Sequence, residues 1–218
     1  MSMPRETTAV CPKCQQTTKA LIWASINVGV NPEMKERLQS GALFQQHCTQ
    51  CGHAFHALYD TLYHDPEKPL MVWLKHYRHG RVVTMESAPL EHTEERLAFY
   101  HLRLVTSLRQ LCDKIRVFDD GLDDRVVEFM KSVYWSTLYQ GREYDDDLIV
   151  YAGIQSHYGK NLLAFHHWAP DGQVSASAVE METYEGTAER ILPLLPPLTT
   201  GKWELINHRY VMEIQKRT

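Results

Sequence analysis

Several features that would assign a protein to a familiar class are missing from this 218-residue sequence. No stretch approaches the roughly 18 apolar residues that cross a bilayer. The first residues, MSMPRETTAV, lack the apolar core of a secretory signal. No GxSxG, HExxH, Walker or dinucleotide-binding fingerprint is present, so no catalytic constellation is visible. We therefore expect a cytoplasmic protein without a membrane segment.

Strong charge of either sign is also lacking. The formal net charge is −4, with 9 Lys and Arg against 7 Asp and Glu in residues 1–90 and 14 against 20 in residues 91–218. Four thiolates around a divalent cation would add about −2 to the first part and bring it close to neutral. Because tight nucleic-acid binding relies on concentrated positive charge, nucleic acid is not a favoured partner.

Cysteine is scarce, and its arrangement is informative. Four of the five cysteines form two pairs, Cys11 with Cys14 and Cys48 with Cys51, each with two residues between. One such turn presents two sulfurs, and four sulfurs at tetrahedral vertices make a structural zinc site. Since the cytosol keeps thiols reduced, metal ligands are favoured over disulfides. We predict one structural Zn²⁺ bound by these four thiolates.

Two other interpretations of the cysteine pairs stay open. The sequence CPKC also resembles the active turn of glutaredoxin-like proteins, but the residues that follow, QQTTKAL, lack the helical periodicity of such a site. Iron suits the same four sulfurs as zinc. Four histidines lie near the second pair: His47, His53, His56 and His64. With four cysteines available, we interpret them as strand residues or as hydrogen-bond donors to the thiolates.

The two cysteine turns differ in the residue that follows each of them. Gly52 follows Cys51, and glycine readily adopts a positive φ that lets backbone N–H groups approach the sulfurs. Gln15 stands at the same place after Cys14. The turns are therefore not required to share one geometry. The fifth cysteine, Cys112, lies at helical spacing with leucines and is predicted to be a small buried hydrophobe.

Residues 1–90 predict an antiparallel β module with one short helix. The segment KALIWASINV alternates as a strand, whereas NPEMKERLQSG has helix signals, with Asn31 as cap and Gly41 at the end. Further strands are predicted over four segments: ALFQQ, AFHALYDTLYHD, LMVWLKHY and RVVTME. The last two form an antiparallel pair in this interpretation.

Residues 91–218 predict a helical hairpin, about 93–140, followed by a β-rich part, about 146–214. The first helix is expected to begin at Thr93, with this apolar stripe: Leu97, Leu104, Leu108, Leu111, Ile115 and Phe118. Three β-rich runs follow, then a short helix in TAERILPLL and a strand in WELINHRYVMEI. The predicted fold class is α+β: a zinc-ribbon-like (rubredoxin-like) antiparallel β module with an inserted helix, then the helical hairpin and a small antiparallel meander.

Two segments of the sequence carry a resemblance to a known family. The first comprises CPKC, a strand, NPEMKERLQSGAL, CTQCG and LYDTLYHDPEKPLMVW. The second is GLDDRVVEFMK, residues 121–131. Together they resemble the CpXC family of bacterial and archaeal proteins. The resemblance covers residues 1–90 well and 110–132 moderately. It implies a four-cysteine metal site and supplies no activity.

The favoured hypothesis is a zinc-binding protein that acts as a metal-stabilised protein-interaction or regulatory module, with another protein as partner. An enzyme, hydrolase-like, with a site in the C-terminal region is the alternative. No catalytic residue is assigned; such a site would lie around the histidines and the acidic segment, whose carboxylates are otherwise interpreted as helix caps: His166, His167, Asp119, Asp120, Asp123, Asp124 and Glu128. A weak nucleic-acid-binding ribbon is a second alternative. A homo-oligomer is also considered, with His101 of the predicted first helix at its seam.

Overall fold

The structure, a computed structural model, describes residues 2–75, 97–139, 145, 147–169 and 171–215. The chain is mixed α+β and divides into two compact units. The first comprises Met1–Leu108 with Gly201–Trp203, and the second Arg109–Thr200 with Glu204–Thr218. The predicted boundary at residue 90 lies outside the described residues, so the division into 1–90 and 91–218 stays a prediction.

Eleven strands and five α-helices lie in the described ranges. In chain order they are β1 (Met3–Val10), β2 (Thr17–Asn27), α1 (Glu33–Gln39), β3 (Gln45–His47), β4 (Ala54–His56), β5 (Thr61–Asp65), β6 (Leu70–Leu74), β7 (His101–Val105), α2 (Leu108–Asp119), α3 (Asp124–Leu138), β8 (Ile149–His157), β9 (Lys160–Trp168), β10 (Val174–Glu180), α4 (Met181–Ile191), β11 (Trp203–Glu204) and α5 (His208–Gln215). None of these helices has the length and apolar character needed to cross a membrane.

The first unit is built on a mixed sheet. Its strand order is β1-β2-β5-β6-β7-β11, and β3 pairs with β4 in a separate small sheet. The β1–β2 and β5–β6 pairs are antiparallel, whereas β2–β5 and β6–β7 are parallel. The prediction of an antiparallel module is therefore wrong. Parallel pairing needs long connections, and the chain between β2 and β5 supplies one that carries α1 and the small sheet.

The short inserted helix is confirmed, with a different start. Helix α1 buries Met34 and Leu38, and Gly41 follows it with φ +77°. Pro32 stands at the N-cap and makes no side-chain cap bond. The side chain of Asn31, which we expected to cap the helix, instead donates to Glu33 Oε1 at 3.3 Å.

Segments 42–65 form shorter elements than predicted. ALFQQ is a 3-10 turn over Ala42–Phe44 followed by β3, and AFHALYDTLYHD splits into β4 and β5 of different sheets. Tyr59 lies between those two strands, is 4% exposed and donates to Leu43 O at 2.8 Å. The buried Tyr59 side chain marks the place where the extended segment is interrupted. The alternation of apolar residues alone did not indicate this interruption. Strand LMVWLKHY begins as predicted in β6, while RVVTME lies outside the described residues.

The predicted helix from Thr93 is wrong over its middle. His101–Val105 forms β7, which pairs in parallel with β6 from Leu70↔His101 to Leu74↔Val105. Leu102 and Leu104 are 1% exposed inside the sheet. The helix α2 begins only at Leu108. A leucine-rich segment that is buried on both faces fits the periodicity of a helix and that of a strand. Here the pairing with β6 determines that the segment is a strand. His101 is thus a strand residue.

The second unit contains the helical hairpin and the meander. Helices α2 and α3 are joined by a short turn at Gly121, and β8, β9 and β10 pair antiparallel in sheet order β10-β9-β8. The predicted helical hairpin and the predicted antiparallel meander are both confirmed, although the first helix begins later than predicted. The core of the unit is this cluster: Val117, Leu122, Val126, Val127, Met130, Trp135, Ile149, Tyr151, Leu163, Phe165 and Ile191.

The C-terminal segment WELINHRYVMEI was predicted as a strand, and this is wrong beyond its first residues. Only Trp203–Glu204 is extended, and His208–Gln215 forms α5. Asn207 Oδ1 accepts the Tyr210 N–H at 3.3 Å at the start of that helix. Val211 is 3% exposed, so one face of α5 is buried. The short helix predicted in TAERILPLL is the later part of α4.

Candidate metal centre

The first cysteine turn connects β1 to β2. Cys11 N–H donates to Gln16 O at 3.0 Å, and Gln15 N–H donates to Cys11 O at 2.9 Å. These bonds fold the segment so that Cys11 and Cys14 present their sulfurs on the same side of the turn. Cys11 is fully buried, whereas Cys14 is half-buried.

The second turn connects β3 to β4 and repeats the same bonds. Cys48 N–H donates to His53 O at 2.9 Å, and Gly52 N–H donates to Cys48 O at 2.9 Å. The Gln50 N–H also points at Cys48 Sγ, 3.4 Å away. Backbone N–H groups near a sulfur stabilise its thiolate form. Cys48 is 3% exposed and Cys51 is exposed.

The two turns therefore share one geometry, which the sequence did not require. Gln15 has φ +59° and Gly52 has φ +69°. A left-handed backbone is costly for a residue with a side chain. In the first turn the Gln15 side chain compensates in part, because its Nε2 donates to Pro12 O at 2.9 Å.

We expect glycine at both positions to be the more stable arrangement. Gln15→Gly should raise the free energy of unfolding by about 0.5–1 kcal/mol, and Gly52→Ala should lower it by about 1 kcal/mol. No atom lies within 4 Å of a Cβ added at Gly52, so its loss would come from the backbone alone. Denaturant unfolding of the wild type and the two variants measures both changes. A Gln15→Gly variant as unstable as Gly52→Ala would show that the side-chain bond outweighs the backbone cost.

Polar contacts near the turns hold the two cysteine pairs side by side. Thr49 N–H, inside the second turn, donates to Thr18 Oγ1 at 2.9 Å, and the two threonine hydroxyls lie 3.2 Å apart. The Gln46 side chain bonds the N–H and C=O of Leu21, both at 3.0 Å, as a neighbouring strand would. Thr18 is 2% exposed and Gln46 is 8% exposed. Sequence analysis missed these residues because no local motif marks them.

The four sulfurs converge. Their Sγ atoms all lie within 4.8 Å of one another, with 3.7 Å between Cys11 and Cys51 and 3.6 Å between Cys14 and Cys48. All four are free cysteines, and these two distances are far longer than the disulfide bond of about 2.05 Å. The predicted ligands are thus brought together in positions from which they can bind one metal ion.

The thiols of this cluster ionise unequally. The backbone N–H of Cys51 is the main cause that lowers the pKa of Cys48, to about 6, against burial. For Cys14 the backbone N–H of Gln16 also acts to lower the pKa, but burial and the neighbouring sulfurs outweigh it and raise the value to about 12. Like charges at this separation disfavour a second thiolate. A cation would remove that conflict, and its binding would release protons.

The histidines near the second turn do not join this cluster. Within the described residues, the sulfur group contains cysteines alone. His47 and His56 lie exposed on β3 and β4, and His53 contributes its backbone carbonyl to the turn. His64 bonds to Asn27 through Nδ1 at 3.1 Å and to Tyr100 through Nε2 at 2.9 Å.

Cys112 lies in α2, away from the sulfur cluster in the chain, and is 7% exposed. Burial raises the pKa of its thiol to about 11, although Arg116 opposes the rise. A buried protonated thiol is unreactive. The structure thus agrees with the predicted small hydrophobe, and Cys112 is a suitable control position for experiments on the other four.

The acidic segment at the helix junction has structural partners. Asp123 caps α3 by accepting the Arg125 N–H at 2.9 Å, and it pairs with the Arg125 guanidinium at 2.6 Å. Asp120 accepts the Tyr151 hydroxyl at 2.6 Å. These residues stabilise the turn between α2 and α3.

A buried ion-pair network continues from this segment, and sequence analysis did not foresee it. Lys131 Nζ lies 2.7 Å from Asp113 Oδ2 and 3.0 Å from Glu128 Oε1. Lys114 Nζ lies 2.9 Å from the same Glu128 oxygen and 3.2 Å from Asp124 Oδ2. All five side chains are less than a tenth exposed. Burial would raise the pKa of Glu128, but the two lysines lower it.

His166 and His167 lie on opposite faces of β9, as alternation predicts. His167 is 3% exposed and its Nε2 lies 2.6 Å from Ser177 Oγ, whereas His166 packs against Trp168. Burial lowers the pKa of His167. A cavity of about 350 Å³ in the second unit has the following lining: Phe129, Met130, Val133, Tyr134, Thr137, Leu138, Val179, Thr183 and Thr187. This cavity does not join the histidines to the acidic segment.

Fold and site together define a mixed α+β protein with two cysteine turns that converge on one point. The chain belongs to the CpXC family: the model of the CpXC protein matches residues 9–131, more than half of the chain. The match includes all four cysteines and residues 121–131, from which three members of the buried network come. No curated protein and no solved structure matches the chain.

Proposed function

We propose that the chain is a zinc protein, with one structural Zn²⁺ held by Cys11, Cys14, Cys48 and Cys51 in a zinc-ribbon-like module. The sulfur spacing carries this proposal. With Zn–S bonds of 2.3 Å, a tetrahedral site places its sulfurs about 3.8 Å apart. The separations of 3.6 and 3.7 Å across the two turns are close to that value, and all four sulfurs lie within 4.8 Å of one another.

The donor set supports a structural role for the ion. Four thiolates fill a tetrahedral shell, whereas a catalytic zinc keeps one position for water or substrate. When bound, the ion would supply the positive charge that lets all four thiols ionise together. The chain's own residues do the rest: Thr18 and Thr49 hold the turns in register, and the Gln50 N–H stabilises the Cys48 sulfur.

The role of the zinc module, in this proposal, is to present a surface to another protein. The outer face of β1 and β2 supports this idea, because Val10 is 59% exposed and Leu21 is 42% exposed. Contiguous exposed apolar surface marks protein-interaction sites, and these two side chains would contribute apolar area to such a surface. Glu6 lies opposite Leu21, and Lys19 opposite Thr8, so polar residues flank them.

Metal analysis of the purified protein tests the proposal. We expect one zinc per chain, retained by Cys112→Ser and lost or much reduced in Cys14→Ser. The first variant removes a thiol outside the cluster and is the matched control. One iron per chain, with the visible absorption of an iron–thiolate centre, would replace zinc in the account. A wild-type protein that binds no metal after refolding with zinc would contradict the proposal.

A further inference from the structure

Each pair of sulfurs that meets across the two turns combines an accessible and a buried cysteine. Cys51 is exposed, and its Sγ lies 3.7 Å from that of Cys11, which is 0% exposed. Cys14 is half-buried, and its Sγ lies 3.6 Å from that of Cys48, which is 3% exposed. An oxidant from solvent therefore reaches Cys51 first, and a second sulfur is already beside it.

We propose that Cys51 is a modification site for hydroperoxides and that Cys11 resolves the oxidised sulfur. Oxidation then converts the metal centre into a Cys11–Cys51 disulfide and releases the ion. This inference rests on the proposed metal binding. It gives the module a regulatory input, because the presence of the ion becomes dependent on the oxidant.

The chemistry needs one oxidant, hydrogen peroxide, which accepts two electrons. The Cys51 thiolate attacks one oxygen of hydrogen peroxide, so that an S–O bond forms, the O–O bond breaks and hydroxide leaves. The Cys11 thiolate then attacks that sulfur, forms the S–S bond and releases the second oxygen as hydroxide. Two thiolates are oxidised by one electron each, and the peroxide is reduced to two hydroxides. The disulfide sulfurs carry no charge, so only Cys14 and Cys48 are left as ligands, too few for tight zinc binding.

The surrounding contacts favour the pair across the turns. Closing Cys11 and Cys51 to bonding distance requires a movement of less than 2 Å from their 3.7 Å separation. The new bond joins the same two turns that the ion joins, and the Thr18–Thr49 contact already holds them together. The oxidised module should therefore remain folded while it loses its metal.

Titration of zinc-loaded Cys112→Ser protein with hydrogen peroxide tests the proposal, with two measurements on the same samples. A chromogenic chelator measures released zinc, and tandem mass spectrometry of tryptic peptides maps the disulfides. Trypsin cuts after Lys13 and so separates Cys11 from Cys14, while fragmentation distinguishes Cys48 from Cys51. We expect the first disulfide to be Cys11–Cys51 and one zinc to be released with each. A first disulfide of Cys48–Cys51 or Cys11–Cys14, or over-oxidation of Cys51 without a disulfide, would overturn the proposal.

Disulfide mapping of protein without bound metal distinguishes a failure of this inference from a failure of the proposed zinc binding. If the chain as purified holds no zinc, the proposed function fails and the turns are folded without the ion, so disulfide mapping of that protein still decides whether Cys51 pairs with Cys11. Two variants sharpen the result of that mapping. Cys14→Ser should keep the Cys11–Cys51 disulfide, and Cys51→Ser should lose it. A Cys51→Ser protein that is oxidised at Cys11 as fast as the wild type would contradict the assigned order of attack.

Discussion

Removing the proposed zinc ion is expected to unfold the cysteine turns and the strands that they join. Structural zinc contributes on the order of 10 kcal/mol to a small fold, which is comparable to the whole stability of a domain. The small sheet of β3 and β4 has three residues in each strand, too few to persist alone. Loss of the ion also leaves sulfurs that cannot all ionise at once.

Amide hydrogen exchange before and after chelation measures this effect by segment. Protection should be lost in β3, β4 and the Thr17–Leu21 part of β2, while the meander of the second unit, β8 to β10, serves as the internal reference. Readdition of zinc should restore the protection. Equal protection of β3 and β4 in metal-loaded and metal-free protein would show that the ion does not hold the module together.

Lys131→Met is expected to lower the free energy of unfolding of the second unit by about 3–5 kcal/mol, because it leaves the buried Asp113 carboxylate without its ion-pair partner and Glu128 with one lysine in place of two. Lys131 lies 2.7 Å from Asp113 and 3.0 Å from Glu128, and its side chain is 4% exposed. Methionine has a similar shape, so packing changes little while the charge is lost. Urea unfolding, monitored by a probe in the second unit, gives the value.

The chain offers a matched control for this substitution. Lys160 pairs with Glu180 on the surface, with side chains 57% and 48% exposed, and Lys160→Met should change stability by less than about 1 kcal/mol. The double variant Asp113→Asn with Lys131→Met should recover part of the loss, since it removes a buried charge of each sign. A Lys131→Met effect as small as that of Lys160→Met would mean that the buried network contributes little.

The four-cysteine cluster could be predicted from sequence because the pattern that marks it is local. Two residues between cysteines suffice to form a turn that presents two sulfurs, and no other part of the chain is needed to recognise it. The contacts that bring the turns together could not be predicted in the same way. Thr18 and Thr49 are separated by 31 positions, and the Gln46 amide mimics a strand only where the fold places it beside Leu21.

The fold could be predicted from sequence where the pattern of apolar residues fitted only one type of secondary structure. The meander and the α2–α3 hairpin follow from alternation and from an amphipathic stripe. Residues 101–105 fitted both a helix and a strand, and the pairing with β6 decided between them. Glu128 was considered only as part of an acidic segment, and no partner was predicted for Lys114 or Lys131, yet all three side chains are buried. Their spacing alone does not reveal that they neutralise one another.

X-ray absorption spectroscopy at the zinc edge of the purified protein tests the central claim most directly. Cys11, Cys14, Cys48 and Cys51 should give a first shell of four sulfurs at about 2.3 Å, without nitrogen or oxygen. A shell that includes histidine nitrogen or water, or fewer than four sulfurs, would contradict the closed four-thiolate site on which the account depends.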